Sequence, residues 1–572
     1  MKKLRFGTPE KIVPSCFCKE LNYTETEIQY NIDNISFKNT ARGCVVEFPL
    51  KSNEQIYGFG LQLHGFNHKN SKLNLRANAD PISYTGDSHA PVPFFVTTEG
   101  YGMYFDTARY IEVQCGFNKK RFRTDAKENE LISNVADLYK KDDEKNDTND
   151  NSVMTVTIPG AQGIDIYLFE GDNILDVVSQ YNMFSGGGCS VPEWALGVMF
   201  RAYVRSTGND IMKIADYFRN NDIPCDIIGL EPGWQTASYS CSYVWDSEHF
   251  PNHKEVINYL KNNDFHINLW EHAFVSPKSP LYKPLFELSG DYEVWEGLVP
   301  DFSLDEAQNI FGKYHKENFV NEGIDGFKLD ECDSGDFVDD WSFPNCAEFP
   351  GGMDGEQYHQ MFGTLYMQTM LKALDGTPTL SEVRNAGALA ASYPFVLYSD
   401  LYNHDDFIRG TVNSGFSGIL WTPELRDAKT EKELIRRLQS TVFSVQCLIN
   451  GWYCENIPWL EFNCEDKVRS LLKVRKQLVP MLMEAFDLYH KKGIPPVRAL
   501  VCDYTDDTET HNIDNEYIFC GNLIVAPITD ESDTRKIYLP KGAWRDYFTK
   551  EPIKSGWFEV TTENIPVYEK AV

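Results

Sequence analysis

Asp210-Ile211-Met212-Lys213-Ile214-Ala215-Asp216-Tyr217-Phe218-Arg219-Asn220 and, after a short turn, Cys225-Asp226-Ile227-Ile228-Gly229-Leu230-Glu231 decide the fold. In the first segment Ile211, Ile214, Ala215 and Phe218 recur at steps of three and four, which places them on one face of a helix. The second segment is a short apolar run without polar alternation, the pattern of a strand covered on both faces. The pair repeats downstream. Glu255 to Asn262 reads as a helix and His266-Ile267-Asn268-Leu269-Trp270 as a strand; Ala307 to Asn321 reads as a helix and Gly326-Phe327-Lys328-Leu329 as a strand. Apolar strands joined by helices form a parallel sheet, and this many units predict an α/β fold built on a (β/α)8 TIM barrel.

Working outward, the chain ahead of Ser185-Gly186-Gly187-Gly188-Cys189 consists of short β runs between Gly and Asn turns. Gly43 to Phe48 is one such run, and Val92 to Phe105 reads as two strands joined at Glu99-Gly100. The Gly run reads as a linker, because it lacks the Lys-Ser/Thr that follows a phosphate-binding loop. Lys140 to Asn151 carries no apolar side chain and reads as a solvated loop. A helix over Lys467 to Leu488 closes the barrel region. After Pro495-Pro496 strand patterns return, among them Leu523-Ile524-Val525-Ala526-Pro527. The expected organisation is an N-terminal β-sandwich over residues 1–188, a catalytic barrel over 189–493 and a C-terminal β domain over 494–572.

The 572 residues carry a formal charge of −30, which repels phosphate backbones and argues against a nucleic-acid partner. No run reaches the roughly 18 apolar residues of a membrane span, so no membrane partner is expected. Met1 to Glu10 has basic residues with no apolar segment behind them; a secretory signal is not visible and a cytoplasmic location is expected. Fourteen cysteines contain one C-x-C, at Cys16 and Cys18, and no C-x-x-C, which reads as reduced thiols. With no His cluster at ligand spacing, neither a metal nor another cofactor is expected. Aromatic residues make up 13% of the chain, suited to stacking on sugar faces and equally to filling cores. Self-association stays open.

A parallel barrel places its active site where the strands end. Acids stand at such positions: Glu231, Glu271, Asp330 after Leu329, Asp400 after Phe395-Val396-Leu397-Tyr398-Ser399, and Glu424 after Gly418-Ile419-Leu420-Trp421. Several carboxylates at a barrel mouth are costly without a task. Glycoside hydrolysis supplies one, with a carboxylate that attacks the anomeric carbon and a carboxyl that protonates the leaving oxygen. Lys328 and Arg384 are candidates to support the nucleophile. Apolar neighbours and the nucleophile's charge would keep the acid protonated. Asp405 and Asp406 compete with Asp400 for the acid role. Glu271, His272 and Asp301 read equally as pocket lining or as caps, Trp421 as core or platform, and His404 as a solvated loop residue.

Several segments carry a resemblance. Tyr57-Gly58-Phe59-Gly60-Leu61-Gln62, Pro192-Glu193-Trp194-Ala195-Leu196-Gly197, Asp325-Gly326-Phe327-Lys328-Leu329-Asp330, Leu380-Ser381-Glu382-Val383-Arg384-Asn385 and Ser399-Asp400 follow, in order, motifs of glycoside hydrolase family 31. The chain resembles that family from about residue 55 to residue 550. The resemblance implies a retaining, exo-acting α-glycosidase without a cofactor. It places Asp330 as nucleophile, Asp400 as acid/base and Arg384 on the sugar. Glu231, Trp234, Trp270, Lys328 and Glu424 are the further expected contacts of a small-molecule or oligosaccharide substrate.

The sequence departs from the family pattern near the sugar. Glu231-Pro232-Gly233-Trp234 replaces Asp-x-Asp, and Thr422-Pro423-Glu424 replaces His-Asp. These changes reshape the pocket around C4 and C6 and favour an α-galactoside over an α-glucoside, with α-xyloside and N-acetylgalactosaminide as further alternatives. A transglycosylase, or a carbohydrate-binding homologue without catalysis, would use the same scaffold.

Overall fold

The structure, a computed structural model, describes residues 1–18, 21, 23–119, 152–335 and 341–571. The segment Lys140 to Asn151, expected to be a solvated loop, lies outside these residues. Among the described residues the central sheet has eight strands: Val198–Arg201 (β1), Ile227–Leu230 (β2), His266–His272 (β3), Gly326–Asp330 (β4), Ser381–Val383 (β5), Phe395–Leu397 (β6), Glu424–Leu425 (β7) and Cys447–Asn450 (β8). They are hydrogen-bonded in the order β6-β5-β4-β3-β2-β1-β8-β7, and every pairing is parallel. The ring closes where Leu397 on β6 pairs with Trp421, just ahead of β7. Leu397 N–H donates to Leu420 O at 2.8 Å, and Thr422 N–H donates to Leu397 O at 3.1 Å. The open edges of a sheet are thereby removed and a barrel results.

Local chemistry sets the elements. The helix over Gly208–Asn220 begins two residues ahead of the expected start at Asp210, because Thr207 and Asp210 form a capping box. The closing helix runs from Glu465 to Lys492, longer than expected at both ends. It stops at Gly493, whose φ of 70° is left-handed.

The N-terminal part stacks two antiparallel sheets. One holds Ile56–Gly60, Pro91–Thr97, Tyr101–Asp106, Gln162–Glu170 and Lys2–Thr8, and the other holds Ser36–Thr40, Gly43–Pro49, Ser152–Pro159, Ile111–Asn118 and Lys72–Leu75. Val46, Phe48, Phe95, Phe105 and Ile166 fill the space between them. A smaller β region follows the closing helix, with Leu500, Ile518, Ile524, Ile537 and Trp544 in its core.

These regions meet through apolar packing rather than through a loose hinge. A single hydrophobic cluster extends from Tyr57 through the barrel to Val567. Tyr57 stacks on Phe416 with ring centroids 5.2 Å apart, and its hydroxyl donates to His511 O at 2.9 Å. Gly60 N–H donates to Ser417 Oγ at 3.0 Å, and Gln62 N–H to Asn413 Oδ1 at 3.1 Å. The Gly186–Gly188 run is also packed. Gly188 lies so close to the Tyr489 ring that a Cβ there would sit 2.2 Å from it.

Candidate active site

Side chains alternate along each barrel strand, and this parity decides which acids face the mouth. On β3, Asn268 and Trp270 turn inward and Glu271 turns outward. Glu271 accepts from the Tyr366 hydroxyl at 2.7 Å and pairs with His315 at 3.0 Å, fully buried in the helix layer. It serves packing. On β4, Lys328 and Asp330 share the inward face.

The lower layer of the pocket is organised by Arg201 on β1, which is fully buried. Its guanidinium pairs with Glu231 beyond β2 and with Glu382 on β5 at 3.2 Å, and donates to Asn268 Oδ1 at 2.7 Å. Gly229 leaves room for it, since a Cβ there would lie 2.9 Å from the guanidinium. Lys328 Nζ reaches both oxygens of Glu231 at 3.4 Å. Burial pushes the Glu382 carboxyl up to about 7, against the pull of Arg201. Glu424 is buried too, held by Arg426 and by Asn450 Nδ2 at 3.1 Å.

Above this layer stand Asp330 and Asp400. Asp330 Oδ2 accepts from Trp270 Nε1 at 2.6 Å and Oδ1 from the Glu331 backbone N–H at 3.0 Å. Arg384 Nη1 lies 2.5 Å from Asp400 Oδ2 and 3.7 Å from Asp330 Oδ1. One nitrogen therefore holds those two oxygens within about 6 Å of each other, so the two carboxylates face one space. Tyr398 lies beneath, its ring 4.8 Å from Lys328 Nζ.

The electrostatics differ from expectation. The Asp400 side chain is 51% exposed rather than enclosed in the core. Burial of the group raises its pKa, but Arg384, Lys328 and Arg426 outweigh this and hold the carboxyl well below the usual range. Beside Asp330 the carboxyl pushed upward is Glu331, through burial first and Asp330 second. Glu331 has a left-handed backbone with φ 56°, rare for a residue with a side chain and concentrated at functional sites.

Other expected residues lie elsewhere. Trp234 is 1% exposed, packed against Trp245 and Phe319, and its ring N–H donates to Trp270 O at 2.7 Å. It braces β3 from behind and does not line the pocket. Asp405 and Asp406 occupy the first turn of the His404–Ser414 helix, engaged by Thr529 and by Arg409. His404 is buried on Ser440 Oγ at 2.9 Å, not solvated. Asp301 holds the Ser303 and Gly351 backbone N–H groups. Trp421 is buried against Phe407 and belongs to the core.

The pocket is rimmed by aromatic rings: Tyr239 lies 5.7 Å from Trp270 and 4.9 Å from Trp295, and Trp295 lies 6.2 Å from Trp341. Trp295 and Glu296 join Ser289–Val294 to Gly297–Pro300 with φ of 50° and 59°, the two-residue left-handed turn that suits a twisted hairpin. No group of three or more His, Cys, Asp or Glu among the described residues is arranged to hold a metal ion.

Sequence reading missed Arg201, Asn268, Asp333, Glu331 and Arg426 as site residues, and His89, which arrives from the N-terminal region. Strand parity would have found Arg201 and Asn268. Nothing near His89 in the sequence marks it.

Comparison with known proteins matches residues 189–485 to the glycosyl hydrolases family 31 TIM-barrel domain. Residues 493–571 match the family 31 C-terminal domain, and residues 20–113 the N-terminal galactose mutarotase-like domain. An α-xylosidase of Emericella nidulans is 21% identical, covering 87% of this chain and 62% of its own length. Alpha-glucosidase 2 of Bacillus thermoamyloliquefaciens is 26% identical over 71% of this chain and 56% of its own length. The chain thus spans 56–62% of the length of these two relatives. Among solved structures, a Flavobacterium johnsoniae dextranase complexed with glucose shares the fold with a TM-score of 0.78. It has 20% identity and covers 95% of this chain and 68% of that one.

Proposed function

Because the chain belongs to family 31 of the glycosyl hydrolases, we propose that it is a retaining α-glycosidase that removes a terminal α-linked sugar, with Asp330 as nucleophile and Asp400 as acid/base. The observation that carries this reading is the single Arg384 nitrogen lying 2.5 Å from one carboxylate and 3.7 Å from the other. A retaining pair stands about 5–5.5 Å apart, close enough for attack on the anomeric carbon and too close for an intervening water. Donors from Trp270 and the Glu331 backbone fix both Asp330 oxygens, so attack starts from an oriented group. Asp400, half exposed at the mouth, protonates the departing oxygen and then deprotonates the water that releases the glycosyl-enzyme.

Arg384 and Arg426 make Asp400 a reluctant proton holder in the free enzyme. Because kcat/KM reports the free enzyme, its basic limb is set by this lowered carboxyl and the optimum lies on the acid side of neutrality. Arg426→Gln removes one of the cations, raises the Asp400 pKa and moves that limb to higher pH. A limb that stays in place would transfer the proton-donor role to Glu331, the carboxyl that burial and Asp330 push upward.

The substrate reading is a neutral sugar, since carboxylates outnumber cations around the pocket and would repel an anionic one. Its finer form, an α-galactoside, rests on Glu231 and Glu424 alone. The relatives named above are called a xylosidase, a glucosidase and a dextranase. A panel of 4-nitrophenyl α-galactoside, α-glucoside and α-xyloside, with the first-formed sugar followed by NMR, tests both levels. Galactoside turnover should lead, and the first product should be the α-anomer. Fast glucoside with absent galactoside turnover overturns the preference, and a β-anomer overturns the mechanism.

A further inference from the structure

The N-terminal region sends one histidine into the barrel mouth, and we propose that His89 is a positioning residue that aligns Arg384 with Asp400. This rests on the acid/base reading of Asp400 above. The His89 side chain is fully buried, with Nδ1 2.7 Å from Asp333 Oδ2 and Nε2 2.7 Å from Ser399 Oγ. Both partners adjoin the chemistry. Asp333 Oδ2 also accepts from Arg384 Nε at 3.1 Å, and Ser399 immediately precedes Asp400. The His89 carbonyl accepts from Asn385 Nδ2 at 2.7 Å, beside Arg384. One residue thus grips the flanks of both members of the Arg384–Asp400 pair.

Asp333 is an ionised carboxylate that only accepts, so the His89 Nδ1 facing it carries a proton and donates it. Ser399 Oγ, which also accepts the Leu401 N–H at 3.0 Å, holds Nε2. Burial raises the Asp333 pKa, while Arg384 and His89 overcome it and keep the carboxyl lowered. Asp333 Oδ1 has no hydrogen-bond partner among the described residues, so these two donors are what anchor the carboxylate. A guanidinium with Nε fixed on Asp333 can rotate little, and its Nη1 stays directed at Asp400.

The test compares His89→Ala, His89→Asn and His89→Gln in the full chain on two substrates of the same sugar, one with a 2,4-dinitrophenyl leaving group and one with methanol as leaving group. The activated aglycone departs with little protonation, and the methyl glycoside requires it. His89→Ala should lose roughly 10- to 100-fold in kcat on the methyl glycoside, the range for losing an orienting partner, with KM within about twofold and a much smaller loss on the dinitrophenyl glycoside. His89→Asn keeps a donor to Asp333 and should recover most of the loss; His89→Gln, which misplaces that donor, should not. Equal losses on both substrates, unchanged kcat in a folded His89→Ala, or rescue by Gln instead of Asn overturns the proposal. Wild-type protein inactive on every glycoside would instead overturn the glycosidase reading, so the two failures are distinguishable.

Discussion

Asp330→Ala is expected to lower kcat by roughly 10⁴- to 10⁶-fold, the range seen when a covalent nucleophile is deleted, with the protein still folded. The side chain accepts two hydrogen bonds and a longer-range ion pair, so its loss leaves the Trp270 and Glu331 N–H groups at a site that water can reach. Azide makes the result diagnostic. In Asp330→Ala the anion can occupy the vacated face and attack the activated aryl glycoside once, giving a β-glycosyl azide. In Asp400→Ala the glycosyl-enzyme still forms, and azide opens it from the opposite face to give the α-azide. Asp400→Ala should also retain much of its rate on 2,4-dinitrophenyl glycosides. Either variant with wild-type turnover on a methyl glycoside removes that residue from its role. An α-azide from Glu331→Gln, with Asp400→Ala unaffected, reassigns the acid.

Arg384→Met should destabilise the protein by about 3–5 kcal/mol at neutral pH, the cost of leaving buried charge without its partner, in addition to abolishing activity. The guanidinium is 3% exposed and serves three carboxylates, Asp330, Asp333 and Asp400. Fully buried Asp333 carries most of the penalty, and half-exposed Asp400 contributes little because solvent screens it. The sign with pH follows from linkage. In the parent chain the folded Asp333 pKa is lowered, so its contribution is present above the unfolded value near 3.9 and is lost as pH falls through the folded value. Without Arg384 burial dominates, the folded value rises above the unfolded one, and the group opposes folding until acid protonates it. The melting-temperature gap between parent and variant should therefore be widest near pH 7 and narrow toward pH 4.5. A gap independent of pH would show that Arg384 acts by packing alone.

The barrel was legible because its strands are continuous apolar runs, and covering both faces of a sheet demands such runs. Asp330 was legible for the same reason: the run Gly326 to Leu329 ends on it. Glu271 looked equivalent and was not, since it lies one residue past an inward-facing Trp270 and alternation turns it to the helices. Reading parity before chemistry would have separated the two. Trp234 was drawn toward the sugar by its place after β2, yet an indole needs a partner for its N–H, and Trp270 O supplied one in the core. The environment of Asp400 could not be read, because Arg384 and Arg426 reach it from β5 and β7 and no linear pattern records that meeting. His89 lies 244 positions from Asp333, so only folding brings the two together.

The Tyr57–Phe416 stack and the apolar cluster that runs through all three regions bear on how such a chain can be recombined. Each region presents its neighbours with a seam cut to their side chains. Grafting one from a relative at about 20% identity would bring only half of each seam. Chimeras with sound joints would need crossovers that carry Ile56–Gly60 together with the helical segment over 413–417, wherever the domain borders fall.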